Sequence, residues 1–424
     1  MKSVPAGSGP HVLRRMNAAS VLSALRAGGP SRIADLMELT DLSRPAVTRA
    51  VESLRGDGWV ADVDPTVEPD PTTDVAGRQN RLGRPAALLR FRAEAGHVLG
   101  VDVGPHKIVA MVADLSGDVV AEHRADTRGL DGRAVLDAIV SVTAQASADV
   151  PETSLLAAAV GSPGLIDPGT GAVTLAPSIP GWDRIPIASA LRDRLACPVT
   201  VHNDVNLAVL GERWRGDAAS VDNLVFLQWG ARVGTGIMIN GKLHIGAAGA
   251  AGELGFLDLA STVSGPADPS AREGDSSTTT MGPFERQVGA AAVIDLAIAE
   301  AARSDDAELL ALMRTAQADD DAAVLFDAAR AGNKLAEQII DTICARMAGG
   351  LAALQLILDP DLIVVGGGLS RAGEPLLSAV ETHLRTRTLA PPRLALSSLG
   401  DTAVVLGAVR SALSEVDEWV LGIS

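Results

Sequence analysis

The residues best placed to do chemistry are Asn203 and Asp204, in the stretch His202-Asn203-Asp204-Val205-Asn206-Leu207-Ala208-Val209-Leu210-Gly211-Glu212. The run before them, Cys197-Pro198-Val199-Thr200-Val201, is apolar and β-branched and predicts a strand, and Asn206–Leu210 predicts a helix. A carboxylate at a strand-to-helix junction is held rigidly and faces the crevice in which α/β folds bind ligands. There, Asp204 could take a proton from a sugar hydroxyl as that oxygen attacks a phosphate. A lone Asn-Asp pair more often just caps the helix that follows it. Gly-rich turns on both sides, at intervals that suit a two-lobed phosphate-binding fold, favour the chemical reading.

Those turns carry a family resemblance. Val160-Gly161-Ser162-Pro163-Gly164-Leu165-Ile166-Asp167, then Ala176-Pro177-Ser178-Ile179-Pro180-Gly181-Trp182, then Asn203-Asp204 resemble the ROK family of sugar kinases and sugar-responsive repressors. Ala251-Gly252-Glu253-Leu254-Gly255 and Val364-Val365-Gly366-Gly367-Gly368-Leu369-Ser370 continue the match, in the family's order, from Val98 onward. The resemblance implies an α/β body with an actin-like, two-lobed fold of the sugar-kinase (ribonuclease H-like) ATPase type. It implies that Asn203 and Asp204 hold sugar hydroxyls, with Ser178 and Glu253 beside them. Glu285 could accept a further sugar hydroxyl, or could be a carboxylate stabilised at a helix N-terminus.

The family contains both enzymes and repressors, and the phosphate turns separate them. Val98–Gly104 predicts a strand, after which the family's kinases carry Gly-Gly-Thr, whose N–H groups and hydroxyl hold ATP phosphates. Here the residues are Gly104-Pro105-His106: proline removes a donor and fixes φ, and the hydroxyl is gone. Lys107 could still meet an anion. Gly234-Thr235-Gly236 resembles the second phosphate turn and is intact, and Gly367 lies in a glycine run that in the family approaches adenosine. Where the family has a histidine after Gly255, this chain has Phe256, and the cysteine cluster of zinc-binding members is replaced by Ser261–Met281, which has no cysteine. With His244 alone nearby, no tetrahedral zinc site can be assembled. No cofactor is therefore expected, neither zinc nor ATP with Mg²⁺, and Asp204 is catalytic only in the alternative reading, an ATP-dependent sugar kinase with an appended DNA-binding head.

The front of the chain supplies that head. The net charge is −16, but Met1–Ala95 carries 13 Lys and Arg against 11 Asp and Glu, and its acids cluster in Asp62–Asp74. With Arg78–Arg92 left basic, a basic front on an acidic body fits a DNA-binding module whose partner domain is repelled from phosphate. Arg14–Ala27, Arg32–Leu39 (capped by Ser31) and a third helix from Ser43 to Arg55 have the spacing of a helix-turn-helix. Ser43, Arg44, Pro45, Thr48 and Arg49 face outward on the third helix and suit phosphate and base-edge contacts. Gly58–Val63 and Ala86–Phe91 predict the strands of a wing. Arg81 and Arg84 lie in the loop between them, where an arginine could enter a minor groove.

Four hundred and twenty-four residues suffice for two or three domains with a sizeable core. Cys197 and Cys344, both in apolar surroundings, predict reduced core thiols and a cytoplasmic setting. No apolar stretch is expected to span a bilayer. The expected organisation is a winged helix-turn-helix over 1–95 and a two-lobed sugar-binding body over 96–424, with Ala403–Leu406 as a last strand before a helix at Ala408–Glu415. The expected partners are a double-stranded DNA operator, a sugar or sugar-derived effector, and other copies of the chain in a homodimer or homotetramer.

Overall fold

The structure is a computed structural model and describes residues 10–63, 88–151, 154–259, 281–316, 322 and 324–421. Arg81, Arg84, the rest of the wing loop and the Ser/Thr-rich segment 261–280 lie outside the described residues.

The head is three helices, α1 (Pro10–Gly28), α2 (Ile33–Thr40) and α3 (Arg44–Gly56), with a two-stranded ribbon, β1 (Val60–Asp62) and β2 (Leu89–Phe91). Val21, Leu22, Leu25, Leu36, Val47, Val51 and Leu54, all at helical spacing, meet in one buried cluster. Asp41 closes α2 in a left-handed conformation at φ 54°, which an aspartate tolerates. Ser31 does not cap α2. Its N–H and C=O pair with Leu89 of the ribbon, and the capping position passes to Arg32, whose N–H donates to Asp35 Oδ2 at 2.8 Å. Ser43 occupies the N-cap position of α3, although its hydroxyl makes no capping bond.

The body repeats one plan twice. In the first lobe β3 (His97–Val103), β4 (Lys107–Asp114) and β5 (Val119–Asp126) form an antiparallel meander, and β6 (Leu155–Ser162) and β9 (Val199–Asn203) add in parallel, giving the order β5-β4-β3-β6-β9. The short pair β7 (Leu165–Ile166) and β8 (Val173–Leu175) lies between those two parallel strands in sequence. In the second lobe β10 (Leu224–Trp229), β11 (Val233–Ile239), β12 (Lys242–Leu243), β13 (Leu362–Gly366) and β14 (Arg393–Leu396) take the matching order β12-β11-β10-β13-β14. β3 and β13 are buried along their whole length, as strands covered on both faces of a sheet must be. This duplicated arrangement is the α/β, two-lobed, actin-like body expected from the sequence.

Helices cover the sheets: α4 (Gly132–Ala148), α5 (Ile187–Leu195) and α6 (Asp204–Arg215) belong to the first half. The second half adds α7 (Glu285–Val288), α8 (Ala290–Arg303), α9 (Ala307–Thr315), α10 (Val324–Arg330), α11 (Lys334–Leu358), α12 (Glu374–Leu384) and α13 (Ala403–Leu421). By length and composition α11 suffices to cross a membrane, contrary to the expectation from sequence, but half of its most apolar window is buried inside the protein. Ile339, Ile343, Met347 and Leu351 on α11 join the largest core cluster. Cys197 and Cys344 are both buried and unpaired, as expected, and burial pushes their thiols up to about 11 and about 12.

Ala403–Leu406 is not a strand. It begins α13, because Val405, Ala408, Val409, Ala412, Leu413 and Val416 fall on one helical face against β3, β4 and β6. The β-branched pair Val404-Val405 imitated a strand, and tertiary packing overrides that local preference. α13 crosses α6 with the backbones nearly touching. A Cβ on Gly407 would sit 1.8 Å from Leu207 O, and one on Gly211 would sit 2.2 Å from Ala403 O. Gly407→Val should therefore cost about 3 kcal/mol, the upper part of the overpacking range, in urea unfolding. An unchanged midpoint would show that the two helices separate readily.

Candidate functional site

β9 ends at Asn203 and α6 starts at Asp204, so the chain turns from strand to helix with no intervening loop. Asn203 is the residue that caps α6: its Oδ1 accepts from Asn206 N at 3.0 Å, and its Nδ2 donates to Gly164 O at 3.0 Å. Asp204 is thereby released from capping. Its Oδ1 accepts the N–H of Val205 at 2.9 Å, and Asp204 lines a cleft of about 260 Å³. Asn203 lines the same cleft, but each end of its amide already serves the backbone. It keeps one N–H and one lone pair for a ligand.

The cleft brings together residues from both lobes. Ser178, Asn203, Asp204, Glu253 and Glu285 all line it, as do Pro105, His106 and Phe256. Ser178 is delivered by a loop anchored through Trp182, which is fully buried and donates from Nε1 to Ser162 Oγ at 2.8 Å. Glu253 sits where Gly252, at φ 89°, lets the chain pass so close to β11 that a Cβ would lie 2.0 Å from Thr235 O. Glu285 is 3% exposed. Its Oε2 accepts from Val233 N at 2.9 Å, and its Oε1 lies 3.3 Å from Arg232 Nη1. Glu285 is the first residue of α7, where the helix-terminus reading puts it, and its carboxylate is tied as well to β11 and Arg232.

The nucleotide residues fare differently. Gly234 and Thr235 line the cleft, but Gly234-Thr235-Gly236 lies within β11, paired with Phe226–Gln228, and is not a turn. Thr235 Oγ1 donates to Gly252 O at 2.9 Å, and Gly236 leaves room for Val205 O, which a Cβ would approach to 2.4 Å. Gly367, at φ 87°, lies against the backbone of Trp229, 2.5 Å from where a Cβ would be. Lys107 Nζ pairs with Asp401 Oδ2 at 3.1 Å. Gly104, Lys107, Gly236 and Gly367 do not line the cleft. These residues therefore have structural work of their own. Pro105 lines the cleft where a phosphate-binding turn needs a donor, so the residues present do not fit a tight phosphate clamp. Among the described residues no group of three or more His, Cys, Asp or Glu could hold a metal ion.

Two further groups, of which one lines the cleft, had no role assigned from sequence. Asp102, at the end of β3, is 7% exposed, and burial pushes its carboxyl up to about 7, with Lys107 opposing the shift. Burial also pushes Asp204 up to about 7, and the charge of Asp102 adds to it. The second group is Arg232, which follows the turn at Gly230 and faces Glu285 across the cleft wall. Its signal in the sequence was a single arginine in a glycine-bordered turn between two strands of an acidic body. Glu253 is raised too, first by burial and then by Glu285, with Arg232 opposing. The cleft therefore concentrates carboxylates that want a donor, and sugar hydroxyls are donors of that kind.

In the head, Ser43, Arg44, Pro45 and Arg49 are exposed and Thr48 is half-buried, on the face of α3 turned away from the core. This is the arrangement a recognition helix needs.

Comparison with known proteins agrees with both halves. Residues 98–415 match the ROK family, and residues 16–64 match the IclR helix-turn-helix domain. The chain belongs to the ROK family. It is similar to a xylose repressor of Caldicellulosiruptor bescii, 24% identical over 412 residues, covering 96% of this chain and 97% of that protein. It is also similar to a glucokinase of Thermotoga maritima, 30% identical over 315 residues, covering 73% of this chain and 95% of the enzyme. A crystal structure of a ROK family transcriptional regulator, a homologue of the E. coli MLC protein, shares the fold with a TM-score of 0.73. It has 21% identity and covers 97% of this chain and 98% of that one. The repressor and the regulator thus match head and body together, and the glucokinase matches nearly three quarters of the chain.

Asp102 and Asp204 hold protons in the folded ROK protein at pH values where the unfolded chain has released them. Their raised values mean that stability falls as pH rises from about 4, the ordinary aspartate value, to about 7. Asp204→Asn should raise the melting temperature of the ligand-free protein by a few degrees at pH 8, and by less at pH 5. An advantage independent of pH would contradict this electrostatic account.

Proposed function

We propose that this chain is a cytoplasmic, sugar-responsive DNA-binding repressor of carbohydrate-metabolism genes. What carries the reading is one continuous helix, α13, which touches the cleft's supports at one end and the head at the other. Just before α13, Asp401 pairs with Lys107. Along it, Ser411 Oγ lies 3.1 Å from His202 Nε2, one residue before Asn203. Near its end Asp417 forms an ion pair with Arg26 of α1, and the same arginine donates to Leu115 O at 2.8 Å and lies 5.4 Å above the Phe91 ring. Trp59 and Phe91 pack simultaneously into the head core and into the cluster around α13.

A part-buried ion pair, a hydrogen bond and a cation–π contact are each worth on the order of 1 kcal/mol. Such a joint is of the same order as typical allosteric coupling, about 1–3 kcal/mol. A sugar held by Asp204, Asn203, Glu253, Ser178 and Glu285 favours one lobe arrangement, α13 carries the change, and the head's docking responds. Sugar and operator DNA then alter each other's affinity by the same factor. Two copies of the chain, as a homodimer or a pair of dimers, would place two heads on two half-sites. A monomer in sedimentation with operator DNA at micromolar concentration contradicts that assembly.

The second reading, a sugar kinase carrying a DNA-binding head, is favoured by one observation: the glucokinase likeness extends over 73% of the chain. Phosphoryl transfer depends almost wholly on positioning and electrostatics, and Pro105, His106 and Phe256 work against both. No bound cofactor enters the repressor reading. Sugar-dependent ADP release at about 1 s⁻¹ or faster, within the usual kinase range, and abolished by Asp204→Asn, would establish the enzyme instead.

DNA recognition is tested at α3. Arg44→Ala should weaken binding to the cognate site by about 1–3 kcal/mol if the guanidinium reads a base, measured by fluorescence anisotropy with the DNA upstream of the chain's own gene. Unaltered affinity, or wild-type protein that ignores that DNA at low salt, would count against the repressor.

A further inference from the structure

A second cavity, of about 350 Å³, lies beside the cleft. Val199, Val201 and His202 of β9 line it together with Ile166 and Ile245, and Glu415 of α13 reaches it. Asn203, Asn206 and Gly249 border both cavities, so the partition between them is shared. There Gly249, at φ 75°, runs so close to Ile166 that a Cβ would lie 2.3 Å from its carbonyl oxygen.

One atom in the partition is unsatisfied. Asn206 is 6% exposed, and its Oδ1 has no hydrogen-bond partner. A buried amide oxygen left without a donor costs stability unless a ligand or water supplies one. The buried polar groups around it are neutral, and Asp167, the half-buried carboxylate of the lining, has its Oδ1 taken by Gly169 N, Thr170 N and Thr170 Oγ1. His202 Nε2 lies 3.1 Å from both Thr200 Oγ1 and Ser411 Oγ, and burial pushes the His202 pKa down, away from the charged form. Arg192 and Glu415, which carry opposite charge, are both exposed residues. No buried cation stands ready for a phosphate, whereas apolar valines beside hydroxyls and an amide suit the two characters of a sugar ring.

We propose that this second cavity is a carbohydrate subsite, taking a neutral hydroxylated ring that donates a hydroxyl to Asn206 Oδ1. The inference rests on the sugar-responsive reading above and deepens it. The ring is either the second unit of a disaccharide whose first unit lies against Asp204, or a separate monosaccharide. In both cases it lies against α13, on the path from the cleft to the head.

Calorimetric titration of the full chain with D-xylose, D-glucose, N-acetyl-D-glucosamine and their β-1,4-linked dimers tests this. Two variants fill the cavity without touching the cleft: Ala188→Phe on α5 and Ile245→Trp, the latter at a residue 37% exposed that accepts bulk if the first does not fold. If one ligand spans both cavities, a dimer binds at least tenfold more tightly than its monosaccharide. Each variant then removes that excess and leaves the monosaccharide affinity unchanged. If the ring is a separate molecule, wild type binds two monosaccharides per chain and each variant binds one. One monosaccharide per chain, no gain from any dimer and no effect of either variant would overturn the subsite while leaving the sugar reading standing. No binding of any of these sugars to wild type would overturn both.

Discussion

The contact on which the molecule depends is the crossing of α6 and α13, where glycines let two helices meet backbone to backbone. Gly407 lies against Leu207, and Gly211 against Ala403, so close that no side chain larger than hydrogen fits at either position. Interiors packed at this density transmit displacement because there is no free volume to absorb it. α6 carries Asp204 at its first turn, and α13 carries Asp417, which grips the head, near its last. A shift at the carboxylate therefore has a rigid route outward. The route is packed side chains and backbone along its whole length, which is the physical content required of a coupling claim.

Carboxylates crowd the other end of that route. Asp102, Asp204, Glu253 and Glu285 are all shifted upward by burial, with Arg232 and Lys107 as partial counterweights. Such crowding is costly to a fold that binds nothing. It is useful to one that binds hydroxyls, because each ligand donor relieves part of the cost. The same carboxylates would serve phosphoryl transfer if the neighbouring turn offered donors to a phosphate. Pro105 lies there instead, and Thr235, on the second candidate motif, has its hydroxyl engaged with Gly252. The chemistry thus favours holding a sugar over changing it.

Much of this was legible from residues. The strand ending at Asn203 and the helix that follows showed as an abrupt change of hydrophobic period, and the head showed as three short helices with inward Val47, Val51 and Leu54. Local pattern failed where tertiary contact decides. Val404-Val405 read as a strand and is helical because its neighbours three and four residues on face the sheet. Ser31 read as a cap and is a bridge to Leu89, a partner distant in sequence. Gly234–Gly236 read as a phosphate turn and is the middle of a strand, its glycine there to admit Val205. Asp102 had no role until the fold set its carboxylate near that of Asp204, and the joint from Arg26 to Asp417 spans residues too far apart for any periodicity to reveal.

The central claim is that α13 couples sugar to DNA through its grip on the head, and one thermodynamic cycle tests it most directly. Operator affinity is measured with and without saturating sugar, and sugar affinity with and without operator, in wild type and in Asp417→Ala. Wild type should give the same ratio in both directions, at least about fivefold, the low end of typical coupling. Asp417→Ala should keep both separate affinities while that ratio collapses towards one. A variant that retains the full wild-type ratio would show that the signal does not pass through this helix.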